Sequence, residues 1–135
     1  MNKLETILLI DDDFTTNYLH KKIISKSEID SLIEVANNGK EGIEKLLSLN
    51  EKITNENALV LIFLDLNMPI MDGWDFLGIF NEIKPKLNYK TNLFVVSSSI
   101  NPDDETRAKQ NSQVLDYFSK PLTVDKLVRL KANFI

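Results

Sequence analysis

Six apolar residues, Leu59 to Leu64, run without a break and stop at one carboxylate, Asp65. A run this short, holding Val60, Ile62 and Phe63 and closed by turn residues, reads as a β-strand buried on both faces. Such strands belong to parallel sheets with helices packed on each side, since a half-exposed strand would alternate apolar and polar residues. Pro69 and the Asp72-Gly73 pair then force a loop before the next helix. Asp65 therefore stands at the carboxyl end of a central strand, where open α/β sheets place their ligands. A carboxylate there is costly unless something pairs with it.

The rest of the chain alternates in the same way. Glu5 to Ile10 reads as a first strand that ends in Asp11-Asp12-Asp13. Phe14 to Ser27 has helical spacing, with Leu19 and Ile23 on the inward face and Thr16 and Ile24 flanking it. Ser31 to Ala36 is a second strand, closed by Asn37-Asn38-Gly39. Lys40 to Leu49 is a helix with Ile43, Leu46 and Leu47 inward, and Asn50 to Asn57 reads as a surface loop. After Gly73 a helix carries Trp74, Phe76, Leu77, Phe80 and Ile83, and it should fail by Pro85. Asn92 to Val96 is a fourth strand, followed by Asn101-Pro102 and three acids, a cap and first turn that start a helix. Val114 to Ser119 is a fifth strand, and Thr123-Val124-Asp125 opens a last helix. Five βα units imply an α/β fold, a parallel sheet with helices on both faces.

Composition narrows the function. The 135 residues suit one domain, and the absence of cysteine excludes disulfides, thiol catalysis and cysteine metal sites. A net charge of −4 argues against a broad attraction to nucleic acid. The apolar stretch Ile7 to Ile10 is too short for a signal peptide, and no run approaches membrane-spanning length. The expectation is a cytoplasmic protein, monomeric or weakly dimeric, with residues 1–135 as one domain and no output domain after the fifth helix.

The strand ends carry the chemistry. Strand one ends in Asp11-Asp12, strand three in Asp65, strand four in Ser97-Ser98 and strand five in Lys120. A parallel sheet brings all of them to one edge. Carboxylates within about 4 Å repel by roughly 4 kcal/mol per pair at an effective dielectric near 20, so they raise one another's pKa or recruit a cation. Oxygen-only ligands with open positions suit Mg²⁺. A lysine and a hydroxyl across the site supply what a phosphoryl group needs. Together these groups point to phosphoryl transfer through an aspartyl phosphate.

Ile10-Asp11-Asp12, Asp65-Leu66-Asn67-Met68-Pro69 with Met71-Asp72-Gly73, Val96-Ser97-Ser98 and Lys120-Pro121 resemble the receiver domain of bacterial two-component response regulators, single-domain and chemotaxis-type. The resemblance covers the whole chain in order. It implies a flavodoxin-like sheet of order 2-1-3-4-5 in a three-layer αβα sandwich. It implies Asp65 as phosphoacceptor, Asp12 binding Mg²⁺ directly, Asp11 through water, and Asn67 through its backbone carbonyl. Ser97 would be the switch hydroxyl, Lys120 would pair with phosphoryl oxygens, and Tyr117 matches an aromatic switch position. The Lys120-Pro121 bond is expected to be cis. Asn67 and Ser99 match positions that tune dephosphorylation. The implied partners are a histidine kinase or histidine phosphotransfer protein and a downstream protein target, with no independent enzymatic turnover.

Blander readings stand beside these. Asp13 reads as a helix cap, Tyr117 equally as edge-strand packing, and His20, the sole histidine, as a helix-flank residue. Two other function classes compete. A haloacid-dehalogenase-like phosphohydrolase would carry a second aspartate two residues after the nucleophile, where this chain has Asn67. A receiver-like interaction module that takes no phosphate would lack Asp65, the acidic pair or Lys120, and all are present. Two stretches depart from the family pattern, the polar Asn81 to Thr91 and the run Lys109 to Gln113 before the fifth strand. Finally, Phe14 and Tyr18 lie roughly 140° around the first helix from Leu19 and Ile23, so they either wrap over neighbouring loops or form a candidate docking patch for a phosphodonor.

Overall fold

The computed structural model describes residues 3–135. Five parallel strands, β1 (Lys3–Ile10), β2 (Leu32–Ala36), β3 (Ala58–Leu64), β4 (Lys90–Ser97) and β5 (Val114–Ser119), form one sheet in the order β2-β1-β3-β4-β5. The connecting helices are α1 (Phe14–Lys26), α2 (Gly39–Lys52), α3 (Gly73–Ile83), α4 (Pro102–Gln110) and α5 (Val124–Phe134). This is the flavodoxin-like α/β arrangement that the alternating pattern and the resemblance imply. Among the described residues, no helix is long and apolar enough to cross a membrane.

Strand periodicity splits the core in two. Leu8, Ile10, Val60, Ile62, Leu64, Leu93 and Val95 point to one face, where Leu46 and Leu49 of α2, Phe76 and Phe80 of α3 and Ala108 of α4 cover them. Ile7, Leu9, Leu59, Leu61, Phe63, Phe94 and Val96 point to the other, under Ile24 of α1 and Leu127 and Leu130 of α5. All seven residues of β3 are buried, as its unbroken apolar run requires. Each large side chain so buried contributes roughly 1.5–3 kcal/mol.

The caps follow from local chemistry. Asp13, Asn38, Asp72, Asn101 and Thr123 each accept a backbone N–H in the first turn of α1 to α5 respectively. Asp13 is thus the cap its position suggested. After Ile83 the chain tightens into a 3-10 turn, Lys84–Lys86, with Pro85 at its second residue. The polar stretch beyond it is tied down by Asn88, which donates from its backbone to Asn50 Oδ1 at 2.9 Å and from its side chain to Asn50 O at 3.0 Å.

Three helical details differ from the reading of periodicity. On α1 the buried residues are Asn17, His20 and Ile24, whereas Leu19 is 42 % exposed and Ile23 only partly covered. The helix has turned a polar pair inward because each finds a hydrogen-bond partner beneath it. His20 is therefore not a helix-flank residue. On α2, Leu49 is buried and Leu47 is exposed. That helix runs to Lys52 and ends on buried Ile53, so the loop is shorter than expected.

Candidate functional site

Register places the strand ends side by side. Ile10 lies opposite both Ala36 and Leu64, and Leu64 opposite Val95. The next residues continue the ladder, with Asp11 N–H donating to Ala36 O at 3.0 Å and Asp65 N–H to Ile10 O at 2.9 Å. Ser97 pairs with Ser119, and Lys120 N–H donates to Ser97 O at 2.9 Å. The four polar residues thus meet at one edge because four parallel strands end at nearly one level.

Asp11, Asp12 and Asp65 each offer an oxygen, and these lie within 4.8 Å of one another. Asp11 and Asp65 are buried, and Asp12 is exposed. Lys120 Nζ sits 2.6 Å from Asp11 Oδ2 and 3.4 Å from Asp65 Oδ1. Asp11 Oδ1 accepts from Asp13 N–H at 2.9 Å, so both its oxygens are engaged. Burial first, and the charge of Asp11 second, push the Asp65 carboxyl up to about 6, against the pull of Lys120 and the Asn67 N–H. Lys120 is raised by its hydrogen bond and charge contacts with Asp11 and Asp65, which outweigh its desolvation.

The loop after β3 is close-packed on Asp65. Gly73 N–H donates to Leu66 O, and a Cβ at Gly73 would fall 2.6 Å from Asp65 O and 2.8 Å from Leu66 Cα. Only glycine lets α3 start this near the acidic strand end. Ile70, 82 % exposed in the same loop, is held at φ 70°, a strained conformation for a β-branched residue. The Lys120–Pro121 peptide is cis.

Other sequence candidates fall as follows. Ser97 is fully buried, and its Oγ accepts from Ser99 N–H at 3.0 Å. Ser99 is turned to α4, donating to Asp104 Oδ2 at 2.6 Å and accepting from Asn101 N–H. Tyr117 packs inside the core cluster that includes Ala108, and its buried hydroxyl finds no partner among the described residues. Asn67 is exposed beside the carboxylate that its N–H contacts. Phe14 and Tyr18 lie outside this cluster, exposed on α1. Sequence reasoning missed Asn17 and His20. Asn17 Nδ2 donates to Asp11 O at 2.9 Å, and His20 Nε2 accepts from Leu122 N–H at 3.2 Å. The available signal was their i, i+3 spacing with Ile24 at i+7, which places all three on one face.

The donor set has the character of a divalent-cation site. Three carboxylates face a single ammonium, all ligands are oxygens, and Asp65 is held above its ordinary range by burial and negative charge. That chemistry fits a hard cation such as Mg²⁺.

Comparison with known proteins agrees with the geometry. The family model for the response regulator receiver domain matches residues 7–131. A solved two-component response regulator from Cytophaga hutchinsonii is 31% identical, with a TM-score of 0.80, over 97% of this chain and 96% of that one. Two-component response regulator 24 of Arabidopsis thaliana is 28% identical, over 96% of this chain and 84% of that protein. A protein-glutamate methylesterase/protein-glutamine glutaminase of Geobacter sulfurreducens is 31% identical over 90% of this chain, which spans only 29% of its length. The chain belongs to the response regulator receiver domain family of two-component signal transduction.

Proposed function

We propose that Asp65 is the phosphoacceptor, taking a phosphoryl group from a phosphohistidine on a histidine kinase or histidine phosphotransfer protein. In that step the phosphorus–nitrogen bond breaks and a bond forms between phosphorus and an Asp65 oxygen. The electron pair returns to the donor imidazole, which keeps or regains its proton. The observation that carries this reading is the position of Asp65 at the end of the buried central strand, beside Asp11 and within 3.4 Å of Lys120 Nζ. A carboxyl pushed up to about 6 is still mostly ionised at neutral pH and is a stronger nucleophile than an ordinary aspartate.

Asp12 and Asp65, with the Asn67 backbone carbonyl, would hold Mg²⁺ directly. Asp11, already engaged by Lys120 and Asp13 N–H, would reach it through water. When bound, the ion supplies charge neutralisation to the transferring phosphoryl oxygens. Lys120 and the Ser97 hydroxyl would bind those oxygens from the opposite side. Movement there would be relayed to Tyr117 and the surface of α4, β5 and α5, where a downstream protein reads it.

Phosphorylation here acts as a switch on a cytoplasmic protein partner and not as turnover of an independent substrate. Nothing favours nucleic acid or a membrane as ligand, and the chain would act as a monomer or weak dimer. The test is labelling by acetyl phosphate with Mg²⁺. Wild type should gain a labile acyl phosphate that hydroxylamine releases, Asp65→Asn should gain none, and Asp12→Ala should react slowly with weakened Mg²⁺ binding. Undiminished labelling of Asp65→Asn would sink the assignment.

A further inference from the structure

The inward face of α1 is polar, and its two polar side chains bond backbone groups on either side of the acidic site. Asn17 and His20 are 5 % and 3 % exposed, three residues apart on one helix face. Asn17 Nδ2 donates to Asp11 O at 2.9 Å, and Asn17 Oδ1 is buried without a partner among the described residues. His20 Nε2 accepts from Leu122 N–H at 3.2 Å across 102 residues of sequence. Leucine at either place would leave the buried backbone group beneath it, Asp11 C=O or Leu122 N–H, without this partner. The two contacts therefore satisfy and fix backbone groups that an apolar stripe could not hold.

What they hold is the pair at the centre of the site. Asn17 grips the residue whose carboxylate meets Lys120 at 2.6 Å, and His20 grips the backbone two residues beyond Lys120. The contacts close a ring from Asn17 to Asp11, across the ion pair to Lys120, through Pro121 to Leu122, and back by His20 to the same helix. On its other sides the lysine loop is fixed by Lys120 N–H on Ser97 O and by Lys126 Nζ on Ser119 O at 2.8 Å and Pro121 O at 3.3 Å. His20 is the contact that ties it to α1. An acceptor nitrogen requires a neutral ring, and burial holds the imidazole below its ordinary range, with Asp11 opposing and Lys120 assisting.

We infer that His20, with Asn17 beside it, is a positioning residue that sets where Lys120 stands relative to Asp11 and Asp65 and so governs phosphoryl uptake. The inference rests on the phosphoacceptor reading of Asp65 and deepens it. His20 does not touch the phosphoryl group. It acts through Leu122 N–H, and Lys120 delivers the charge.

The experiment compares His20→Leu and His20→Phe, which remove the acceptor, with His20→Gln, whose Oε1 restores it. Each is labelled with acetyl phosphate at saturating Mg²⁺, with Mg²⁺ affinity measured by calorimetry. Both apolar variants should label about tenfold more slowly than wild type, a loss of about 1.4 kcal/mol. Their Mg²⁺ affinity should hold, because the lysine touches the anion and not the cation. His20→Gln should recover most of the rate at equal or lower fold stability. The inference is overturned by wild-type labelling in the apolar variants, by failure of His20→Gln to recover, or by Mg²⁺ affinity falling in step with the rate. Failure of both apolar variants to fold would make His20 a structural residue and overturn it equally. Asp65→Asn run in parallel separates the two readings. If it labels like wild type, the phosphoacceptor assignment fails; if only it is dead, the His20 inference alone fails.

Discussion

Lys120 Nζ stands closer to Asp11 than to Asp65, 2.6 Å against 3.4 Å. The ammonium thus neutralises a carboxylate pair, and its nearer partner is the one that is not the proposed acceptor. Removing it leaves two buried carboxylates uncompensated, which strengthens their attraction for a divalent ion. Lys120→Ala is expected to bind Mg²⁺ at least as tightly as wild type, by calorimetry. The same variant should lose the amide chemical-shift changes that phosphorylation or a phosphate mimic produces at α4, β5 and α5. Equal loss of ion binding and of response would contradict this division of labour.

Asp65 makes stability pH-dependent in a defined direction. Its folded-state carboxyl lies at about 6, above the ordinary 3.8, so the folded protein holds that proton more tightly than the unfolded chain. Protonation stabilises the fold, the benefit is complete below pH 3.8, and it is lost as pH rises through about 6. In EDTA, the urea midpoint of wild type should therefore fall between pH 4 and pH 7 relative to Asp65→Asn, which lacks this titration. Added Mg²⁺ should oppose the fall in wild type. A midpoint difference between the two proteins that does not change with pH would refute the shift.

The legible parts of this molecule are those where a hydrophobic period breaks sharply. Asp65, Ser97 and Lys120 each follow an apolar strand, so their place at the carboxyl edge follows from strand length and parallel topology. The caps at Asp13, Asn101 and Thr123 were equally open, because short polar side chains next to a helical period have few other uses. Helix α1 was misread for the complementary reason. Periodicity sees only apolar residues, so Leu19 and Ile23 outweighed Asn17 and His20, whose burial depends on backbone groups of Asp11 and Leu122 distant in sequence or across a turn. The same blindness hid the replacement of Leu47 by Leu49 on the buried face of α2. Those outcomes are set by tertiary fit, which no local pattern encodes.

The outer face of α1 gives the last prediction. Phe14 is 82 % and Tyr18 55 % exposed, although the buried residues of α1 are Asn17, His20 and Ile24 and not the Leu19–Ile23 pair. With Asn17, Lys21, Val35 and Asn37 they border a hollow of about 260 Å³, and Lys22 Nζ stands 5.3 Å from the centre of the Tyr18 ring. Two exposed aromatics rimmed by lysines, one turn from the acidic loop, suit a helical phosphodonor with an acidic margin. The double substitution Phe14→Ser with Tyr18→Ser should lower phosphotransfer from a protein donor by about tenfold or more, equivalent to about 1.4 kcal/mol of lost contact. Labelling by acetyl phosphate, which needs no docking surface, should be unchanged. The urea midpoint should shift little, since neither ring is buried. Joint failure of both donors would make the pair structural, and undiminished transfer from the protein donor would place docking on another face.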